Sequence, residues 1–193
     1  MKKPVSGANA NAREAILEAA RQAAQSRGYA GLNFRDLAEA VGVKHASLYY
    51  HFPTKADLAA AVSRRYWEDT AAILDSMLAE ASDPVDALRR YPQIFRKSLE
   101  DHNRLCLCSF MSAEHDDLPE AVKTEVQAFT DVNIAWLAKV LLAAGLDKAS
   151  SEQRAQGIYA AIAGAQLMAR SRSSVAVFDA LMDGYRATGL LPP

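Results

Sequence analysis

One glycine between two helix-compatible runs limits the fold of this chain more than any other feature. Before Gly42, the run Asn33–Val41 carries Phe34, Leu37, Ala38 and Val41 at helical spacing. A glycine at that point supplies the positive φ that a tight turn between helices requires. After it, Val43-Lys44-His45-Ala46-Ser47-Leu48-Tyr49-Tyr50-His51-Phe52 leaves room for a helix of about two turns. Leu48 and Phe52, four apart, share one buried face. Lys44, His45, Ser47, Tyr49, Tyr50 and His51 fall on the other faces, and none is acidic. So short a helix is marginal alone and must be held by packing. What it then presents is a set of donors and rings without a carboxylate, which suits a polyanion. The pattern predicts a helix-turn-helix whose second helix enters a DNA major groove.

The flanks carry matching helix signals. Asn33 is a cap with Asp36 in the first turn. Pro53-Thr54-Lys55-Ala56-Asp57 opens a further helix, with Thr54 as cap and Asp57 at its third position.

Taken together, Gly28-Tyr29, Phe34-Arg35-Asp36-Leu37-Ala38, Val41-Gly42-Val43, Ser47-Leu48-Tyr49-Tyr50-His51-Phe52 and Lys55-Ala56-Asp57-Leu58 resemble the N-terminal domain of TetR-type (TetR/AcrR family) transcriptional regulators. The resemblance covers roughly residues 12–60. Leu32 stands where the family usually has Thr, Lys44 where Ser or Thr often caps, and Ala46 where Gly is common. Losing that cap costs about 1 kcal/mol, and the substitution adds a cation facing the polyanion.

Charge is distributed in agreement with a DNA reader joined to another unit. The net charge is −1. Residues 1–65 hold ten Lys/Arg and five Asp/Glu, a net +5, and the remainder carries a net −6. Cys106 and Cys108 are the only cysteines, which excludes a disulfide framework. No run approaches 18 apolar residues and no signal peptide is recognised, so a soluble cytoplasmic protein is expected, with no membrane partner.

No strand pattern or repeat is found, and the expected fold class is all-α with about nine helices. Residues 1–10 read as a flexible polar arm and Ala12–Arg27 as the first helix, with Ile16, Leu17, Ala20 and Ala24 inward. The fourth helix runs from Thr54 to about Ala81, with no Gly- or Ser-rich linker. The expected division is a DNA-binding domain over 1–53 and a ligand-binding and dimerisation domain over 54–193, joined by that continuous helix. Asp83-Pro84 starts a fifth helix that Pro92 kinks or divides. A short helix spans about Leu105–Glu114, and a long one runs from Leu118-Pro119 to Ala144, stopped by Gly145. Ser150 with Gln153 reads as a capping box for the eighth helix, to about Arg170. Ser173 or Ser174 caps the ninth, which ends at Gly189.

Three candidate sites follow. For DNA, Tyr49, His51 and Lys55 are expected on phosphates, and Arg35, Lys44, His45, Ser47 and Tyr50 at base edges or nearby phosphates. For self-association, Gly157, Ala160, Ala161 and Gly164 form a stripe of small residues in the eighth helix. Val175, Phe178, Met182 and Tyr185 form a 3-4-3 seam in the ninth. By resemblance these two helices make a four-helix homodimer interface, though the same spacing also fits packing within one chain. For an effector, the resemblance implies a small-molecule cavity among the body's rings and sulfurs, with Trp67, Tyr91, Phe95, Cys106, Phe110, Met111, Phe129, Trp136 and Tyr159 as candidate walls. The same residues also read as core.

Cys106-Leu107, Ser112-Ala113-Glu114 and Asp117-Leu118-Pro119-Glu120 resemble a TetR-type subgroup that includes regulators of detoxification and efflux genes. Cys106 opens the short helix with His102 and Arg104 upstream, so a helix N-terminus and nearby charge favour a thiolate that senses electrophiles. The competing reading is a buried thiol packed as a small hydrophobe. His115-Asp116-Asp117 with Glu114 reads as a solvated acidic loop. No phosphate loop, nucleophile elbow or paired zinc motif occurs, so no enzyme activity, cofactor or metal is expected. The resulting expectation is a homodimeric repressor that binds a palindromic operator and is released by a small-molecule effector. The alternative is a DNA-binding regulator controlled by cysteine modification or by a partner.

Overall fold

The computed structural model describes residues 6–193, with side chains from residue 11 onward. Of the arm expected over 1–10, residues 1–5 lie outside the described residues. Residues 6–10 are instead the first turns of helix α1 (Ser6–Arg27). Ile16, Leu17, Ala20 and Ala24 of α1 are buried, as their spacing requires. All regular structure among the described residues is helical.

A 3-10 turn at Tyr29–Gly31 leads to α2 (Phe34–Val41) and α3 (His45–His51). The Asn33 carboxamide accepts from the Arg35 and Asp36 backbone N–H groups, at 2.8 and 3.3 Å, and starts α2. Gly42 ends it in the left-handed region (φ 73°, ψ 31°), and Val43 N–H closes back on Ala38 O at 3.0 Å. Lys44 begins α3 without a side-chain cap. Burial of Leu48 and Phe52 holds α3 instead, each worth roughly 1.5–3 kcal/mol.

Helix α4 (Lys55–Glu80) starts with a complete capping box. Thr54 N–H donates to Asp57 Oδ2 at 3.0 Å, and Asp57 N–H donates to Thr54 Oγ1 at 3.1 Å. Its early turns pack on α1, and it continues unbroken against α8 (Glu120–Ala143). Between them lie α5 (Pro84–Arg90), α6 (Gln93–Glu100) and α7 (Leu107–Ser112). Pro92 divides the segment into α5 and α6, the second of the two outcomes its position allows. His102 and Asn103, both at φ 56°, form the break before α7. By length and composition α8 is apolar enough to cross a membrane. Here it lies between α4 and α9, and it buries Glu125 and Asn133.

Helices α9 (Lys148–Ser171) and α10 (Val175–Ala187) close the body. The start of α9 departs from the sequence reading. Asp147, not Ser150, is its cap, accepting from Ser150 N–H at 3.0 Å, and the helix begins three residues earlier. Ser174 precedes α10 without a side-chain hydrogen bond.

Gly28 joins α1 to the 3-10 turn at φ 62°, ψ −155°, a region open to glycine almost alone. A Cβ there would sit 2.2 Å from the Glu114 carboxylate, which accepts Tyr29 N–H at 2.6 Å. Gly28→Ala is therefore expected to destabilise the fold by roughly 1–3 kcal/mol. Urea unfolding checks this; an unchanged midpoint would show that the junction relaxes freely.

Candidate nucleic-acid interface

The short α3 presents its polar residues outward because Leu48 and Phe52 consume its inner face. Lys44, His45, Tyr49 and Tyr50 are exposed, Tyr50 most of all at 74 %, and Ser47 and His51 are half-buried. Four of the eight expected DNA contacts converge. Arg35 from α2, His45 and Tyr49 from α3, and Lys55 from α4 line one surface groove of about 340 Å³. No acidic side chain lines it.

Neighbouring rings set these side chains in place. Tyr49 packs on Phe34, ring centroids 4.9 Å apart, and takes His45 edge-on at 5.1 Å. Lys55 Nζ lies 4.1 Å over the Tyr29 ring, close enough for a cation–π contact that aims the ammonium along the groove. The N-terminus of α4 opens at the same place, adding partial positive charge. Lys44, Ser47, Tyr50 and His51 stand on the rest of the α3 surface, with Tyr50 edge-on to His51 at 5.1 Å. The roles of Tyr29, and of Arg13 over the Phe52 ring at 5.2 Å, were not read from sequence. Tyr29 belonged to a recognised motif, but nothing local revealed its partner.

The reader is tied to the body at the C-terminal end of α1. Arg170 of α9 donates to the carbonyls of Ser26 (2.8 Å), Gln25 (3.3 Å) and Asn103 (3.0 Å). Leu105 N–H also reaches Gln25 O, at 3.2 Å. Glu114 corrects the reading of a solvated acidic loop: it is half-buried and caps Tyr29 N–H, while His115, Asp116 and Asp117 are exposed. Along α4, Arg64 and Trp67 both donate to the buried Glu125, Arg64 Nε at 3.0 Å and Trp67 Nε1 at 2.8 Å. Burial opposes the charge on Glu125, but these two donors outweigh it and hold its pKa below the usual carboxylate range.

The expected effector walls do not surround one cavity. Tyr91, Phe95, Cys106, Met111, Phe129 and Trp136 are fully buried core. Tyr91 stacks on Trp136 (5.6 Å, 19°), and Phe95 and Phe129 both meet Tyr159 edge-on or tilted. Trp67 is committed to Glu125, and Phe110 faces a separate hollow beside Arg170. Periodicity cannot distinguish a ring that packs on rings from one that packs on a ligand.

The dimer residues divide in the same way. Gly157, Ala160 and Gly164 are exposed along α9, beside Leu167 and Met168. Ala161 is half-buried, and its carbonyl accepts from Tyr185 OH at 3.3 Å within the chain. Phe178 and Met182 are 1 % and 2 % exposed inside the protomer, so the 3-4-3 seam faces the chain's own core. The outward side of α10 is Ala176, Ala180, Asp183, Gly184 and Ala187, with Val175 half-buried at its start.

Cys106 precedes α7 as its cap residue, but burial decides its chemistry. Burial pushes its thiol up from the ordinary value. Burial also raises Cys108 well above its ordinary value. Both side chains are enclosed, which favours the packed-thiol reading of Cys106 over the sensing one. Neither thiol is expected to react with an aromatic disulfide reagent at pH 8 until the chain is unfolded in denaturant, when both react. Fast labelling of Cys106 in the folded protein would contradict this assignment.

An acid-free, ring-supported cationic groove beside a short exposed helix, on a unit carried by one long helix, defines a helix-turn-helix regulator. Two family profiles match the chain: "Bacterial regulatory proteins, tetR family" over residues 16–62, and "Transcriptional regulator LmrA/YxaF-like, C-terminal domain" over residues 84–183. The chain belongs to the TetR family of transcriptional regulators, and it is a DNA-binding regulator, not an enzyme. It is similar to the HTH-type transcriptional repressor DhaR of Mycobacterium sp. (strain GP1), with 30 % identity over 115 residues. That match covers 59 % of this chain and 57 % of the relative's length. A TetR regulator from Legionella pneumophila superposes with a TM-score of 0.87 at 27 % identity, over 97 % of this chain and 99 % of that one. A TetR-family regulator from Agrobacterium tumefaciens superposes with a TM-score of 0.82 at 28 % identity, covering 90 % and 94 %.

Proposed function

We propose that this protein is a cytoplasmic repressor that binds a palindromic operator as a homodimer and leaves it when a small-molecule effector binds. The observation that carries this reading is the groove of Arg35, His45, Tyr49 and Lys55 beside α3, which offers donors and no carboxylate to a phosphate backbone. Residues 1–53 are the reader and 54–193 the regulatory and dimerising body. Tyr49, His51 and Lys55 engage phosphates, and Arg35, Lys44, His45, Ser47 and Tyr50 face base edges or adjacent phosphates. The similarity to a protein named as a repressor supports the direction of control. Control by Cys106 is disfavoured because its thiol is enclosed and its pKa is raised.

Lys55→Ala and Tyr49→Phe are expected to weaken binding to every duplex. Lys55→Ala should also lower the slope of log affinity against log salt by about one. Lys44→Ala or His45→Ala instead changes which sequences are preferred, by roughly 1–3 kcal/mol per lost base contact. Fluorescence anisotropy on a selected operator and on a scrambled duplex separates the two effects. Salt-independent binding, or none, would overturn the reading.

The dimer is proposed on the exposed small-residue face of α9 and α10. A Cβ added at Gly164 meets nothing within 4 Å in the chain itself. Gly164→Leu is therefore expected to fold normally and to weaken the dimer by roughly 1–3 kcal/mol through overpacking. Sedimentation of the variant as an unchanged dimer would place the interface elsewhere.

A further inference from the structure

A second groove, of about 580 Å³, lies where the reader meets the body. Helices α1, α4 and α6 form its walls, and its volume falls in the range of small-molecule sites. We infer that it binds a small amphipathic organic anion, and that occupation loosens the contact between α1 and α6. This deepens the ligand-responsive reading, on which it rests.

The apolar side is built from Tyr66, Ile73 and Met77 of α4 and Ile94 of α6. Ile73 is 50 % exposed, so its side chain is open to a ligand in the groove. The polar side combines Gln25, Ser98 and Lys97 with Arg21 and the ion-paired carboxylates of Glu18, Asp69 and Asp101. Gln25 is 2 % exposed and incompletely satisfied. Its Oε1 accepts from Arg21 Nη1 at 2.8 Å, but its Nε2 reaches only Ser98 Oγ, at 3.5 Å. A carboxamide carries two N–H donors, and that single contact is at the outer limit of a hydrogen bond. Gln25 thus presents a buried donor to the groove.

Charge fixes the class of ligand. The groove's acids are engaged: Glu18 with Arg21, Asp69 with Arg65, and Asp101 with Arg104. Lys97 has no acidic partner within 4 Å among the described residues. An anionic group between Lys97 and the Gln25 amide, with an apolar body on Ile73 and Met77, completes both ends of the site.

The position makes the site regulatory. Gln25 Nε2 to Ser98 Oγ links α1 to α6, and the Gln25 carbonyl is one of those that Arg170 and Leu105 hold. A ligand that takes the Gln25 amide competes with the α1–α6 link, three residues before Gly28 and the turn into α2. Differential affinity for the loosened state is what allows a ligand to shift the reader.

The test uses the full-length protein and two probes of the same shape, 1-anilinonaphthalene-8-sulfonate and its uncharged analogue N-phenyl-1-naphthylamine. Lys97→Gln and Ile73→Trp alter side chains that solvent already reaches, so both variants should fold. Fluorescence titration should show about one probe per chain. Lys97→Gln should weaken the sulfonate at least tenfold and leave the neutral probe within about twofold. Ile73→Trp should weaken both at least tenfold. Saturating sulfonate should release selected operator DNA from the wild type but not from Ile73→Trp. Equal affinities in all three proteins, no probe binding, or release that ignores Ile73 would each overturn the assignment. Failure of the repressor reading itself would appear separately, as absence of salt-dependent DNA binding before any probe is added.

Discussion

The structure depends on a helix that starts in one unit and ends in the other. Thr54 and Asp57 fix the first turn of α4 beside the recognition helix, and the helix then runs 26 residues, about 39 Å, without a break. A flexible linker at residue 54 would leave the reader free of the body. A capped helix transmits rotation instead, because its hydrogen bonds resist bending and its buried face is committed at both ends. Leu58 and Val62 pack at the reader, and Thr70 and Leu74 in the body. Between them Arg64 and Trp67 share the Glu125 carboxylate of α8, so sliding of α4 along α8 would strand a buried charge.

A second connection runs through the end of α1. The last carbonyls of a helix have no partner within it. Here Arg170 supplies the donors, from the same helix α9 that exposes the small-residue face. Glu114 satisfies the first N–H after Gly28. The reader is therefore fixed at two points, by α4 and by the α1 terminus, and both points touch helices of the regulatory body. Movement of α6 or α9 alters the second point while α4 holds the first, and the expected outcome is a tilt of the reader rather than its detachment.

Most of this fold was legible because its signals are local. Asn33, Gly42 and the Thr54–Asp57 pair each act within four residues, and each performs in the structure the role its position announced. The inward residues of α1 and α3 followed directly from helical spacing. What was not legible depends on partners distant in sequence. Glu114 read as part of a solvated loop because its partner, Tyr29 N–H, lies 85 residues away. The seam in α10 was a true packing seam, but period alone does not say whether the facing helix belongs to the same chain. Of the body's rings, Tyr91, Phe95, Phe129 and Trp136 pack in the core, while Trp67, Phe110 and Tyr159 are half-buried, a division that helical period does not reveal. Cys106 illustrates competing magnitudes: a helix end lowers a thiol's pKa, burial raises it, and burial prevails.

Since both native thiols are enclosed, a cysteine placed at the exposed Ala46 on α3 can carry a spin label alone. The distance between labels in the operator-bound protein tests the central claim, that two readers are held at a fixed spacing by their bodies. The account predicts one narrow distribution set by the operator, near 34–36 Å or a whole multiple of it. That distribution should shift or broaden when ligand releases the DNA. Absence of dipolar coupling between labels, or a broad distribution in the operator complex, would contradict the account.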